Sequence, residues 1–339
     1  MNYKEPLANI NTLDCCDLGI AYQCNYKCRM CHFWQNNPLN EDNVLSIEEW
    51  KEVLKQLPQL PKNDNLMVNF AGPGETFLRK GIFSLIKYGR QLKLKIQVIS
   101  NGSLISEDIC REISDAGLEF LCLSLDSLNP KTHDYLRGVD GAQERVLQAI
   151  ENMARYSSET KIGINTVING MNLDEIAELT EWAQRNERIS HINFQAITQP
   201  FSFTEASDEL WFKDENKGFL WPLNESLIHK TIDCLIGFKG LGYKIADSVQ
   251  QLNNFREYFL NPLQFIKNGR CNLGKGNVLI IDPAGNVSIC SLVGIIDNLR
   301  KQMNLSKILS SEDAFLHKKN INVCRRNCHL VVSCYYQEE

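Results

Sequence analysis

The chain has no apolar run long enough to cross a membrane, and its first residues, MNYKEPLANINTLDCCDLG, contain no apolar stretch of signal-peptide length. These absences predict a protein that neither spans a membrane nor is exported. A net charge of −5 offers no positive field for capturing nucleic acid. The chain is rich in cysteine, with 13 residues. Without a secretory signal, that content predicts a cytoplasmic protein whose thiols are ligands more often than disulfides.

Composition places the chain among ordinary globular proteins. It has 339 residues, of which 43% are hydrophobic and 23% are charged. This length suffices for one large domain and a small one.

Three of the cysteines, Cys24, Cys28 and Cys31, lie within the short run AYQCNYKCRMCHFW. Structural zinc requires four ligands, whereas a 4Fe–4S cluster held by three cysteines keeps one iron open for another ligand. The same residues allow two alternatives. Cys28 to His32 also matches the C-x-x-C-H signature of c-type haem, but haem attachment requires export. His32 directly follows Cys31, which is an awkward position for a fourth zinc ligand. The spacing therefore favours an iron–sulfur cluster.

Apolar runs alternate with helical patterns through the middle of the chain. Strands are predicted at 17–22, 66–70, 95–99, 120–125, 161–168 and 191–196, and helices at 47–57, 77–92, 106–116, 142–156, 173–185 and 223–238. Near-continuous apolar strands separated by helices indicate an α/β fold with a helix-covered parallel sheet. Six units are too few for a closed eight-fold barrel. Periodicity alone leaves a doubly wound sheet equally possible.

The cysteine loop resembles the cluster-binding motif of the radical S-adenosylmethionine (SAM) superfamily. That resemblance implies a partial (β/α)6 TIM-like barrel over residues 14–240, preceded by an N-terminal extension at 1–13. It also implies that Cys24, Cys28 and Cys31 hold a 4Fe–4S cluster whose open iron binds SAM. Active sites on such sheets lie beyond the carboxyl ends of the strands, where this loop is expected.

Two further loops resemble SAM-binding segments of the family. Gly72-Pro73-Gly74-Glu75 resembles Gly-Gly-Glu-Pro, whose backbone and carboxylate are implied to hold the SAM amino group, although the order differs here. Glycine also lets a backbone approach a ligand closely. Asn101 lies in a Ser-Asn-Gly run that resembles the family's Thr-Asn-Gly. Read alone, both segments are ordinary surface turns.

The next strands carry four more candidates for SAM binding. Ser124 and Asp126 share one face at the end of the fourth strand. Arg137 resembles an arginine that pairs with the SAM carboxylate, a role that suits its planar fork. Asn165 lies on a strand that resembles the adenine side of the SAM site. The structural alternative for Arg137 is a solvated surface side chain, and the alternative for Asn165 is a polar cap at the end of its strand.

A second cysteine cluster follows a predicted linker at 241–268. Cys271 and Cys290 flank a predicted hairpin, and Cys324, Cys328 and Cys334 follow. Residues 269–339 resemble a SPASM or twitch domain, truncated because Glu338 occupies a position where the family continues with cysteine. Five cysteines suit one auxiliary 4Fe–4S cluster with a spare, with Cys328 and Cys334 preferred over Cys324. A structural zinc site is the alternative.

The resemblance implies reductive cleavage of SAM to a 5′-deoxyadenosyl radical, which abstracts a substrate hydrogen. We expect oxidative modification of a peptide. A small-molecule dehydrogenase in antibiotic or cofactor biosynthesis and a non-catalytic iron–sulfur electron carrier are the alternatives. The expected reductant is a flavodoxin or ferredoxin. Only 23 residues precede Cys24, so a separate protein is expected to recognise a leader peptide. Aromatic residues between 194 and 221 either line a substrate cleft or pack their own loop.

Overall fold

The computed structural model describes residues 11–35, 37–201, 208–263, 271–290 and 292–324. Its sheet has nine strands in the order β6-β5-β4-β3-β2-β1-β7-β8-β9. The strands are β1 Leu13–Gly19, β2 Lys62–Ala71, β3 Lys95–Ser100, β4 Phe120–Ser124, β5 Lys161–Ile168, β6 Ile189–Ala196, β7 Val278–Ile281, β8 Asn286–Ser288 and β9 Asp297–Asn298. Neighbouring strands from β1 to β6 all pair in parallel. The predicted α/β fold with a parallel sheet is confirmed.

Helices connect the parallel strands. Within the described ranges they are α1 Ile47–Gln56, α2 Ile82–Gln91, α3 Glu107–Ala116, α4 Pro130–Arg137, α5 Ala142–Tyr156, α6 Ile176–Arg185, α7 Glu225–Gly240, α8 Val249–Leu260, α9 Leu305–Leu309 and α10 Glu312–Asn322. Local capping explains several boundaries. Ser46 and Glu49 form a capping box at the start of α1, and Gly117 ends α3 in the left-handed conformation. No helix in these ranges is long and apolar enough to span a bilayer.

The two faces of the sheet differ in burial. Strand β4 has three consecutive buried residues at 121–123. Toward the carboxyl ends of the other five parallel strands, every second residue is buried, and most of these, such as Leu18, Val68 and Ile192, belong to the hydrophobic core that the helices cover. The residues between them are half-buried and include polar side chains such as Asn69 and Asn165. We call this second side the inner face. The alternation follows from the period of two in a strand.

The hairpin formed by β7 and β8 is part of the main sheet. β7 pairs in parallel with β1, from Cys15 opposite Val278 to Leu18 opposite Ile281, and β8 pairs with it antiparallel. This pairing joins the cysteine-rich C-terminal region to the edge of the six-strand sheet. Sequence periodicity carried no signal for it because the two strands are more than 250 residues apart in the chain.

Residues 241–268, predicted as a linker, contain helix α8, which the sequence analysis did not predict. Leu252, Phe255 and Phe259 form the buried side of α8, and their spacing of three and four residues is the helical signal that was missed. Helix α2 also begins later than predicted, because Thr76–Leu78 forms a 3-10 turn and Gly81 precedes the helix in a left-handed conformation.

The aromatic residues between 194 and 221 pack the protein interior. Trp211 and Phe194 are fully buried. Trp221 contacts Trp211, Tyr258 and Phe259 with ring centroids 5.7, 5.1 and 5.6 Å apart. The described aromatics therefore attach this long connection to α8, and they favour the packing interpretation over a substrate cleft. Phe203 lies outside the described residues.

Candidate functional site

A cavity of about 220 Å³ lies at the carboxyl ends of the parallel strands. Nine of its lining residues were predicted from the sequence: Cys24, Cys28, Cys31, Gly72, Gly74, Glu75, Asn101, Ser124 and Arg137. Seven were not: Tyr26, Met30, Trp34, Pro73, Ile99, Ser100 and Val167. Tyr26, Met30 and Trp34 belong to the cysteine loop itself, so proximity in sequence was the signal that could have identified them.

The cysteine loop is held in place from both sides of the cavity. On one side, the Glu75 backbone N–H donates to the Gln23 carbonyl at 2.7 Å. On the other, the Arg29 backbone N–H donates to the Leu136 carbonyl at 2.8 Å. The Arg29 guanidinium also lies 4.0 Å from the ring centroid of Tyr135. These contacts with the β2 loop and helix α4 position the three thiols.

The two glycines of the β2 loop permit its close approach to the cysteine loop. A Cβ atom on Gly72 would lie 2.3 Å from the Ala21 carbonyl oxygen, and one on Gly74 would lie 2.3 Å from the Gln23 carbonyl oxygen. Gly72 also has a φ of 137°, which disfavours any other residue. From the sequence, these glycines were expected to permit close approach of a ligand. The structure shows that their missing side chains leave room for neighbouring backbone.

The three thiols are only partly exposed, and burial raises their pKa values. The pKa of Cys28 rises to about 12, and the pKa values of Cys24 and Cys31 are also raised, although Arg137 opposes the shift in all three. Free thiols in this loop are therefore protonated at neutral pH. Metal binding would have to supply the positive charge that stabilises the thiolates.

Over the five described stretches of the chain, no three His, Cys, Asp or Glu side chains converge as a single metal ion requires. Tetrahedral zinc holds its ligand sulfurs at about 2.3 Å from one centre. An iron–sulfur cluster has a different requirement, because each cysteine binds a different iron atom. The donor set of three thiols on one loop fits the cluster better than a single ion.

Arg137 is fixed beside the thiols by a buried carboxylate. Its Nε atom donates to Asp126 Oδ2 at 2.7 Å, and the side chains are 12% and 0% exposed. Burial alone would lower the pKa of Arg137, but Asp126 and Cys28 more than offset this and raise it. Asp126 Oδ1 accepts the Val167 backbone N–H at 3.0 Å. Asp126 is not among the cavity-lining residues, so it contacts Arg137 and β5 instead of the cavity.

His133 adds a further contact to this buried group. Its Nδ1 atom accepts the Asp126 backbone N–H at 3.1 Å. Burial lowers the pKa of His133 to about 4, so the imidazole is neutral. Sequence reasoning missed His133, although it lies four residues before Arg137 on helix α4.

The Glu75 carboxylate is largely occupied by protein donors. It accepts hydrogen bonds from Ser100 Oγ at 2.8 Å and from the backbone N–H groups of Asn101 and Phe77 at 2.7 and 3.1 Å. Burial raises the pKa of Glu75, and these donors oppose the shift. A carboxylate offers about four acceptor positions. Glu75 therefore ties the β2 loop to the end of β3 and keeps about one position for another donor.

The remaining predicted SAM contacts separate into two groups. Ser124 and Asn101 line the cavity, and the Asn101 side chain donates to Asn25 Oδ1 at 3.0 Å. Asn165 lies opposite Ser124 in the pairing of β4 and β5, but it is not among the lining residues. Its role remains a prediction.

The described C-terminal cysteines also lie near one another. Burial raises the pKa of Cys271, and the charges of Cys290 and Cys324 raise it further. The Cys290 backbone N–H donates to His317 Nε2 at 3.3 Å. Cys328 and Cys334, which were predicted as ligands ahead of Cys324, lie outside the described residues. The effect of the Cys290 and Cys324 charges on Cys271 indicates that both thiols lie near it.

Comparison with known proteins gives one family match. Residues 19–183 match the model of the Radical SAM superfamily. This segment contains the three cysteines of the first loop, the β2 loop and Arg137. The observed sheet of six parallel strands is typical of the partial barrel of that superfamily.

Individual relatives extend the comparison. An AdoMet-dependent heme synthase from Methanosarcina barkeri is 27% identical over 58% of this chain and 54% of its own length. The chain spans about half the length of this and several other curated relatives. A PqqA peptide cyclase from Bradyrhizobium diazoefficiens is 23% identical over 95% of this chain and 78% of its own.

A solved structure matches nearly the whole chain. Streptococcus suis SuiB bound to its precursor peptide SuiA has a TM-score of 0.67 at 15% identity, over 97% of this chain and 72% of its own. At this identity the likeness establishes a shared fold.

Proposed function

Because residues 19–183 match the model of the Radical SAM superfamily, we propose that the chain is a radical SAM enzyme that cleaves SAM reductively and modifies a peptide. A bound cluster and SAM would supply a 5′-deoxyadenosyl radical that takes a hydrogen atom from the substrate. The observation that carries the proposal is the convergence of Cys24, Cys28, Cys31 and Arg137 around one cavity.

The cavity residues have distinct roles in this proposal. Cys24, Cys28 and Cys31 hold the 4Fe–4S cluster. Arg137 is restrained by Asp126 and orients the SAM carboxylate, for which a guanidinium is well suited. Glu75 offers its remaining acceptor position to the SAM amino group.

Residues further along the same wall complete the proposed SAM site. Asn101 and Ser124 provide neutral polar contacts at the carboxyl ends of β3 and β4. The apolar side chains of Met30, Ile99 and Val167 exclude water from the same space.

Two relatives that align with nearly the whole chain support a peptide substrate. The PqqA peptide cyclase aligns with 95% of the chain, and the fold is shared with a protein solved with its precursor peptide. A small-molecule substrate is the second candidate, because the heme synthase and a protein named probable GTP 3′,8-cyclase from Thermococcus kodakarensis are 27% and 30% identical over shorter segments. Within the peptide proposal, the enzyme is an oxidoreductase or maturase.

An auxiliary 4Fe–4S cluster is proposed at Cys271, Cys290 and Cys324, with Cys328 or Cys334 as the fourth ligand. Proximity of the three described cysteines supports it. The proposed reductant is a flavodoxin or ferredoxin, with a separate protein as a possible leader-peptide receptor. Thiolate ligands require a reducing compartment, so the proposed location is the cytoplasm.

Iron content and SAM cleavage test the proposal together. Wild type is compared anaerobically with a Cys24/Cys28/Cys31→Ala variant and a Cys271/Cys290/Cys324→Ala variant. Cys234→Ala, a half-buried thiol on α7, is the matched control. Iron, zinc, sulfide and 5′-deoxyadenosine are measured after adding dithionite and SAM.

We expect about eight irons in wild type and about four in each triple variant. Cleavage of SAM should disappear in the first variant, and Cys234→Ala should match wild type. About four irons with one zinc in wild type would assign the C-terminal cysteines to a structural site. Full clusters without SAM cleavage would reject the enzyme and favour an electron carrier.

A further inference from the structure

A row of uncharged polar side chains extends from the cavity across the inner face of the sheet. Ser124 of β4 lies opposite Asn165 of β5, which lies opposite Asn193 of β6. Neighbouring strands are about 4.8 Å apart, so the row extends about 10 Å from the cavity wall. Gln195 follows Asn193 on the same face and lies opposite Val167, another lining residue. We call Asn193 and Gln195 the β6 amide pair.

The side chains of this row have no hydrogen-bond partner within the described residues. All of these residues are half-buried, and none of their side-chain nitrogen or oxygen atoms is a buried atom left without a partner. On the same face, Gln97 Nε2 donates to Asn69 Oδ1 at 3.1 Å, so neighbouring amides on this sheet can pair. Polar groups at half-buried positions usually find a partner in protein, water or ligand. The row is therefore open to a ligand.

The chemistry of the row selects the kind of group that it can hold. An Asn or Gln side chain presents one acceptor oxygen and a donor NH₂ group, which complements the C=O and N–H of a peptide group. Phosphate recognition would require cations. Among the described residues that line the cavity, Arg137 is the one cation, and it is paired with Asp126.

The spacing of the β6 amide pair also matches an extended peptide. Residues two apart on a strand are about 6.6 Å apart, which is the repeat of an extended chain running alongside. We propose that Asn193 and Gln195 bind two peptide groups of the substrate, two residues apart in its extended chain, beside the SAM site. This inference rests on the proposed function and specifies its substrate as an uncharged peptide backbone segment, in preference to a nucleotide.

Probe binding tests the inference separately from catalysis. The reconstituted protein with SAM is dialysed anaerobically against labelled N-acetyl-trialanine N-methylamide, with GTP as competitor. Wild type is compared with Asn193→Leu/Gln195→Met, which keeps side-chain volume and removes the amides. The control is Asn253→Leu, at a half-buried amide of α8. SAM affinity and SAM cleavage are measured in parallel.

We expect the probe to bind wild type and the control equally, and binding to weaken on the order of tenfold for each amide removed. SAM affinity should stay unchanged. If the double variant does not fold, the two single variants are measured, and each should lose about tenfold.

Four results would overturn the inference: no probe binding to wild type, equal binding to the variant, displacement by GTP, or a parallel loss of SAM affinity. The last would assign the row to the SAM site. Failure of wild type to cleave SAM rejects the proposed function instead.

Discussion

Replacing Asp126 by asparagine would leave the Arg137 guanidinium without its carboxylate partner. Asparagine can still accept the Val167 backbone N–H, which Asp126 Oδ1 accepts at 3.0 Å. It cannot neutralise Arg137, whose Nε atom lies 2.7 Å from Oδ2. The Asp126 side chain is fully buried and Arg137 is 12% exposed. Breaking such a pair by removing one partner costs about 3–5 kcal/mol.

This cost predicts a measurable shift in melting temperature. The unfolding entropy is about 2.1 cal/mol/K per residue, which for 339 residues amounts to about 0.7 kcal/mol/K. Asp126→Asn should therefore lower Tm by about 4–7 °C. The assay is anaerobic scanning calorimetry on samples of equal iron content.

The matched control breaks a more exposed ion pair, between helix α2 and the residue that precedes β4. Arg90 and Glu119 are 3.3 Å apart with side chains 43% and 30% exposed. Exposed pairs contribute about 0–1 kcal/mol, so Glu119→Gln should lower Tm by no more than about 1 °C. Equal shifts in the two variants would refute the claim that burial makes the Asp126–Arg137 pair important.

Two further predictions concern the cysteine loop and the pH dependence of stability. Gly74→Ala should reduce bound iron, because the new Cβ would lie 2.3 Å from the Gln23 carbonyl oxygen and displace the backbone of the cysteine loop. The control is Gly237→Ala, where a new Cβ meets open space and bound iron should stay at the wild-type level. Equal iron contents in the two variants would contradict this prediction. Burial raises the pKa of Asp247 to about 7, although the hydrogen bond that its carboxylate accepts from the Phe194 N–H acts to lower it. The stabilisation by its protonated form is therefore present below about pH 4 and lost as pH rises through 7. Asp247→Asn should raise Tm relative to wild type more at pH 8 than at pH 5, and a pH-independent difference would disprove it.

The spacing of apolar residues along the chain was sufficient to predict most helices and strands of the core. β5 and α5 match the predicted ranges 161–168 and 142–156, because each has an uninterrupted apolar period bounded by polar or glycine residues. Helix α8 was missed although its apolar spacing is helical. The adjacent Asn253 and Asn254 have low helix propensity, and packing of α8 against α7 overrides it.

The chemistry that the chain can support is readable from its residues alone. Cysteine spacing, the parallel strand pattern and the order of Gly74, Glu75, Ser124 and Arg137 carry that information because ligand type and strand order are local properties of the chain. They predicted nine residues that line one cavity.

The way in which those residues are used depends on the folded arrangement. Glu75 bonds to the end of β3, Asp126 restrains Arg137, and Gly72 and Gly74 accommodate the cysteine loop. The pairing of β7 with β1 and the open amides on β6 also depend on contacts between distant segments. Such contacts are decided by packing and hydrogen-bond satisfaction across the whole fold, and no short stretch of sequence records them.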